Sequence, residues 1–332
     1  MSFGVQRSPL GAYYRSTLGV RGTGEAPVPP VPPLPPHPST NLVWQCVGSD
    51  GGSKNVILNS SYYLSSYPLA YSENATDWGY YDSVNAQGYG SCNVDYGSSL
   101  FVAPRPGYIA TSTDGKTWAA LSKSGFWQKV AYGDSLFVVT RGFLTGYGAE
   151  IITSPDGVTW TTRKSGVKKW EVLTYGGGKF VAAGQYSVSW WYSATSTDGI
   201  TWTESSPLTG SGVWKDIAYG NSLFVAVKYN LMGYSSDGLT WSYSVDSDTL
   251  GWWRSIAYGN SKFVAVGLSS TGTASTKAIT STDGQTWTAV TVPSGVYNDI
   301  AYNGSYFIAC GNENYGAGII TSPDGTTWTE QT

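Results

Sequence analysis

Ser235-Ser236-Asp237-Gly238-Leu239-Thr240-Trp241 is one copy of a heptapeptide, Ser-x-Asp-Gly-x-Thr-Trp, that returns along the chain. The clear copies end at Trp118, Trp160, Trp202, Trp241, Trp287 and Trp328, 39 to 46 residues apart. A degenerate copy, Ser72–Trp78, ends 40 residues before the first. A period of this size marks a solenoid, a propeller or an array, and the content of one unit decides which. In the unit from Trp214 to Trp241, Trp214–Tyr219 is a β-prone run, Gly220-Asn221-Ser222 a turn and Leu223–Val227 an apolar run. A third segment follows near Met232–Ser235, then the turn Asp237-Gly238 and the run Thr240–Tyr243. Short β-branched and aromatic runs bounded by Gly, Asn, Asp and Ser read as strands. No helical periodicity is sustained. Four strands in about 40 residues predict a β-propeller blade.

The other units match. Ala131-Tyr132-Gly133, Ala218-Tyr219-Gly220 and Ala257-Tyr258-Gly259 are equivalent, as are Phe137, Phe180, Phe224, Phe263 and Phe307 on the second strand. Val56–Ser65 extends the pattern upstream, which gives an all-β, seven-bladed propeller of four-stranded antiparallel blades over residues 41–332. The ring is expected to close by Leu42–Val47 pairing beside the last blade. Residues 1–26 form an extended arm and 27–40 a linker. Eight of the twelve residues from Pro27 to Pro38 are proline. Such a run favours polyproline II and spans roughly 37 Å at about 3.1 Å per residue.

In the heptapeptide, Asp can accept backbone N–H groups, Gly supplies a positive φ and Trp covers the turn. One carboxylate per turn (Asp114, Asp156, Asp198, Asp237, Asp283, Asp324) is too few for calcium. Over residues 42–332 the repeats resemble the Asp-box, or BNR-type, propeller repeats of sialidases, sortilin-like receptors, microbial glycan-binding proteins and phage virion proteins. The sialidase box has one more residue between Asp and Gly. The shorter form here is similar to repeats of phage tail and other virion proteins, a likeness that speaks for fold more than activity.

Charged residues are 12% of the 332, whereas Gly (42), Tyr (25) and Trp (15) are abundant. The net charge of −3 offers no footprint for nucleic acid. Cys46, Cys92 and Cys310 have no metal-ligand spacing and read as small core residues. No cofactor, metal or membrane insertion is expected. The resemblance to sialidases implies an arginine triad, but only Arg105, Arg141, Arg163 and Arg254 lie in the propeller and no triad can be assigned. Asp216 and Asp299, equivalent on inner strands, leave a two-carboxylate glycosidase open as a lesser reading.

A binding face is expected opposite the heptapeptide turns, where the second-to-third strand connections vary through inserts at 141–150, 185–192 and 267–277. Trp127, Trp170, Trp214, Trp253 and Tyr297 begin the innermost strands there, beside Arg254, and Trp190, Trp191 and Tyr192 cluster in one insert. Aromatic faces with polar neighbours suit sugars. Together these features predict a non-enzymatic, tail-associated phage virion protein, assembled in the host cytoplasm. It would be held by other virion proteins through residues 1–40, with Arg7, Tyr13, Tyr14, Arg15 and Arg21 in the grip. Many copies would display propellers to a host-surface glycan or receptor by avidity. A head-decoration or tail-adaptor module and a free microbial lectin are the alternatives.

Overall fold

The structure, a computed structural model, describes strand pairs at 6–7, 13–14, 69–72 and 78–81. Within 93–331 it describes all residues except 114–117, 143–147, 188–189, 206–207, 210–212, 230, 245–250 and 312–317. β1 (Gln6–Arg7) pairs with β2 (Tyr13–Tyr14), and β3 (Leu69–Ser72) with β4 (Trp78–Tyr81). The first propeller sheet contains β5 (Asp95–Gly97), β6 (Leu100–Ser112), β7 (Ala119–Gly133), β8 (Leu136–Arg141), β9 (Ala149–Ser154) and β10 (Thr161–Gly166). The second contains β11 (Val172–Gly176), β12 (Lys179–Ser187), β13 (Trp190–Ser196), β14 (Thr203–Glu204) and β15 (Leu208–Thr209), the last pairing with β13. Three four-stranded blades follow. They are β16 (Asp216–Gly220), β17 (Leu223–Lys228), β18 (Leu231–Ser235) and β19 (Ser242–Ser244); β20 (Gly251–Gly259), β21 (Lys262–Ser269), β22 (Ser275–Ser281) and β23 (Thr288–Gly295); and β24 (Tyr297–Tyr302), β25 (Phe307–Gly311), β26 (Ile319–Ser322) and β27 (Thr329–Gln331).

The propeller therefore has five blades among the described residues, one of them six-stranded, and not the seven expected from counting repeats. Two causes are visible. β7 runs 15 residues without a break. Its first half pairs with β6 and its second half, from Trp127, with β8, so two repeats fuse into one sheet. The degenerate upstream repeat is described only as the hairpin β3–β4. That hairpin keeps the register of the others: Tyr71 faces Gly79 as Thr195 faces Thr203 and Thr321 faces Thr329. The expected closing strand at 42–47 and the proline linker lie outside the described residues.

The inner strands β7, β11, β16, β20 and β24 pack in succession around an axis. Between blades the second-strand Phe residues, all 0% exposed, fill the wedge. Each also meets the inner-strand Tyr across the pair, with ring centroids 4.4 to 4.7 Å apart. Burying one such side chain stabilises the fold by about 1.5–3 kcal/mol. Five of these tyrosines, from Tyr132 to Tyr302, also lie against a glycine of the repeat before. A Cβ on Gly220 would stand 2.0 Å from the Tyr258 ring, and one on Gly259 2.1 Å from Tyr302.

Candidate functional site at the axial mouth

The heptapeptide turns form one face. Asp198 Oδ1 accepts the Ser196 hydroxyl (2.8 Å) and the N–H groups of Ile200 (2.8 Å) and Thr201 (2.7 Å). The Thr201 N–H, then Ile200 and Ser196, hold this carboxyl down at about 2. Asp156, Asp237, Asp283 and Asp324 repeat the geometry; Asp114 lies outside the described residues. The Trp202 indole closes the turn by donating to Gly199 O at 3.0 Å. Asn221 and Asn260, in first-to-second strand turns, donate to the Thr282 and Pro323 carbonyls of the next blade's heptapeptide segment. These bonds are local and repeated, which makes this face scaffold.

The opposite face differs. The inner-strand aromatics expected to offer ring surfaces there do not: Trp127, Trp170, Trp214, Trp253 and Tyr297 are 0 to 2% exposed. Each is a wedge against the preceding repeat, as Trp253 is against Val227 and Met232. A large flat ring fills the widening gap between twisted sheets, so packing claims both faces. Trp191 is buried too, with its ring centroid 4.8 Å from that of Trp214. Trp190, by contrast, is 46% exposed. Tyr192 lies beneath the Lys168 ammonium, 3.8 Å from the ring centroid.

Directly after each buried inner-strand aromatic, the chain bulges. The pairing shifts between Trp127 and Lys129, Trp253 and Ser255, and Tyr297 and Asp299. In the other two blades Glu171 donates to the carbonyl of Ala183, which already pairs Val172, and Lys215 to that of Val227, which already pairs Asp216. The extra residues are Gln128, Glu171, Lys215, Arg254 and Asn298. Arg254 donates to Asn298 Oδ1 in the next blade. Burial pushes Glu171 up to about 7, against the pull of Lys169 and Lys215. Lys215 Nζ stands 5.1 Å from the centroid of Tyr229, which is 41% exposed. Tyr229 meets Trp252 of the next blade at 5.0 Å. Of this group the sequence pointed only to Arg254. Tyr229 and Trp252 lie outside the repeated positions. The legible signal was the one residue after each inner aromatic, which varies inside an otherwise constant frame.

One residue further along each inner strand, a polar network crosses the axis. Lys129 Nζ is 3.3 Å from Asp216 Oδ1, and the Ser255 hydroxyl is 2.7 Å from Asp216 and 2.5 Å from Asp299. Burial, then the Asp216 charge, raise Asp299 to about 7. The Ser255 hydroxyl thus bridges the two carboxylates, and Lys129 pairs with Asp216. The two carboxylates are joined by one protein hydroxyl, so no sugar atom fits between them.

No family model matches the chain, and no curated protein does. Among solved structures it is similar to virginiamycin B lyase from Staphylococcus aureus, with 12% identity and a TM-score of 0.58 over 73% of this chain and 83% of that one. It is also similar to YCF48 from Cyanidioschyzon merolae (14%, TM-score 0.51, 72% and 84%). The β-propeller domain of Cps50 (Swd1) from Myceliophteria thermophila gives 11%, 0.51, 77% and 93%. At such identities the likeness establishes the propeller fold alone. In the arm, Arg7 pairs with Tyr13, and Tyr14 with Gln6; Arg15 and Arg21 lie outside the described residues.

Proposed function

We propose that the chain is a non-enzymatic binding module that engages a glycan through the face opposite the heptapeptide turns. One observation carries this reading: on that face aromatic surface is left open beside polar groups, at Trp190 and at the Tyr229–Trp252 pair. Sugar rings stack their apolar faces on such surfaces. The bridged Asp216–Ser255–Asp299 cluster favours a binding role over a glycosidase, since its carboxylates already serve each other. The wider proposal, a phage virion protein anchored by its N-terminal arm, rests on the short heptapeptide form and the arm's composition. None of the solved structures named above is a virion protein.

The test is a glycan array probed with the whole chain, followed by titration of the best hit. Trp190→Ala and Tyr229→Ala should each weaken binding by about tenfold, a common size for lost aromatic stacking. Tyr306→Ala, an exposed tyrosine on the heptapeptide face, should leave it unchanged. An array with no specific hit overturns the glycan reading. Deleting residues 1–40 should abolish incorporation into the particle; retained incorporation removes the anchor.

A further inference from the structure

The inner strand of each of five repeats carries one residue too many, and that residue differs every time. On either side the frame barely changes. Trp or Tyr precedes the bulge residue, and an aliphatic residue follows two positions after it. Packing selects one residue type at equivalent sites, as it has for the wedge aromatics. Five different polar groups (Gln128, Glu171, Lys215, Arg254 and Asn298) answer instead to a demand that changes from blade to blade. An asymmetric molecule bound on the axis makes such a demand. Bulges recur beside binding sites because they re-aim a side chain without ending the strand.

Two atoms of this ring lack partners among the described residues. Asn298, 4% exposed, accepts from Arg254 at Oδ1, and its Nδ2 has no hydrogen-bond partner among the described residues; Glu171 Oε2 is likewise unmatched there. A buried polar group left unmatched is destabilising and calls for an explanation. The ring's charge is also lopsided. Lys215 and Arg254, with Lys169 beside them, outnumber the one carboxyl, which burial shifts toward its neutral form. Arginine's planar fork suits a carboxylate or sulfate better than a bare hydroxyl. The Tyr229–Trp252 pair supplies an apolar wall next to Lys215.

Resting on the binding-module reading, we infer that this bulge ring is a site for an acidic saccharide. The carboxylate or sulfate takes Arg254, Lys215 and the unmatched Asn298 N–H, and the sugar ring lies against Tyr229 and Trp252. Glu171 then faces a ligand hydroxyl. Such binding weakens with salt, because part of it is charge pairing.

Isothermal titration of the whole chain would use three probes: a hexagalacturonate for carboxylate, a heparin-derived hexasaccharide for sulfate, and neutral maltohexaose. At least one acidic probe should bind about tenfold or more tightly than the neutral one. Which of them binds identifies the acid. Arg254→Gln and Lys215→Gln should each lower that affinity by about tenfold. The Lys215 side chain has a ring contact and, among the described residues, no hydrogen-bonded partner to orphan, so it tests the site even if the Arg254 variant misfolds. Equal binding of neutral and acidic probes, insensitive to Lys215→Gln, overturns the acidic site and leaves the glycan reading standing. Absence of binding by all three, with an empty glycan array, overturns both.

Discussion

A single residue decides each turn. In the first-to-second strand turns, Asn221 and Ser222 have φ of 46° and 61°, and the pairs Asp134–Ser135 and Asn260–Ser261 match them. Two left-handed residues in a two-residue hairpin loop suit the twist of the strands, at a steric cost for any residue with a Cβ. Ser222→Gly should therefore raise stability by about 0.5–1 kcal/mol, seen as a higher urea midpoint with an unchanged slope. A lower midpoint would show that the Ser222 side chain contributes more than its strain. On the heptapeptide side, Asp198 lies below its unfolded value of 3.8, so its stabilisation is present above 3.8 and lost as the pH falls toward 2. Asp198→Asn should remove part of the acid limb of the pH–stability curve.

At the scale of the element, the repeated contact is a tyrosine of one repeat lying on a glycine of the repeat before. Gly97, Gly133, Gly176, Gly220 and Gly259 each leave no room for a Cβ beneath that ring. Gly220→Ala should cost about 1–3 kcal/mol by overpacking, read from thermal or urea unfolding. Adding Tyr258→Ala should cost less than the sum of the two single changes, because the clash goes with the ring. Strict additivity would mean that the glycine is needed only for its backbone.

For the whole molecule, the axial network ties the Lys129, Asp216, Ser255 and Asp299 blades together through one bridging hydroxyl and one ion pair. Asp299 is raised from 3.8 to about 7. The folded state thus holds the Asp299 proton more tightly than the unfolded chain, and the sign follows. The contribution is complete below 3.8 and is lost as the pH rises through about 7, where both carboxylates would compete for one hydroxyl. Glu171 at the mouth works in the same direction. Asp299→Asn, which keeps a donor for Ser255, should flatten the fall in unfolding midpoint between pH 4 and 7. An unaltered slope would place the titration elsewhere.

The amino-acid sequence by itself determined the all-β propeller architecture, the four-strand unit and the heptapeptide turns, because each follows from local rules: alternation, turn residues and a short-range Asp cap. Blade number was not legible. Whether one repeat's last strand ends or runs into the next, as β7 does from Ala119 to Gly133, depends on pairing partners far along the chain. Nor did Trp127, Trp170, Trp214, Trp253 or Tyr297 reveal whether their faces were open or packed, since an aromatic at a strand start serves either purpose until the neighbouring blade is in place. Only the tertiary structure put Tyr229 against Trp252 and Arg254 against Asn298, from different blades. Packing of neighbouring blades brings residues 23 to 44 positions apart into contact, and no local pattern encodes which side chains will share that opening.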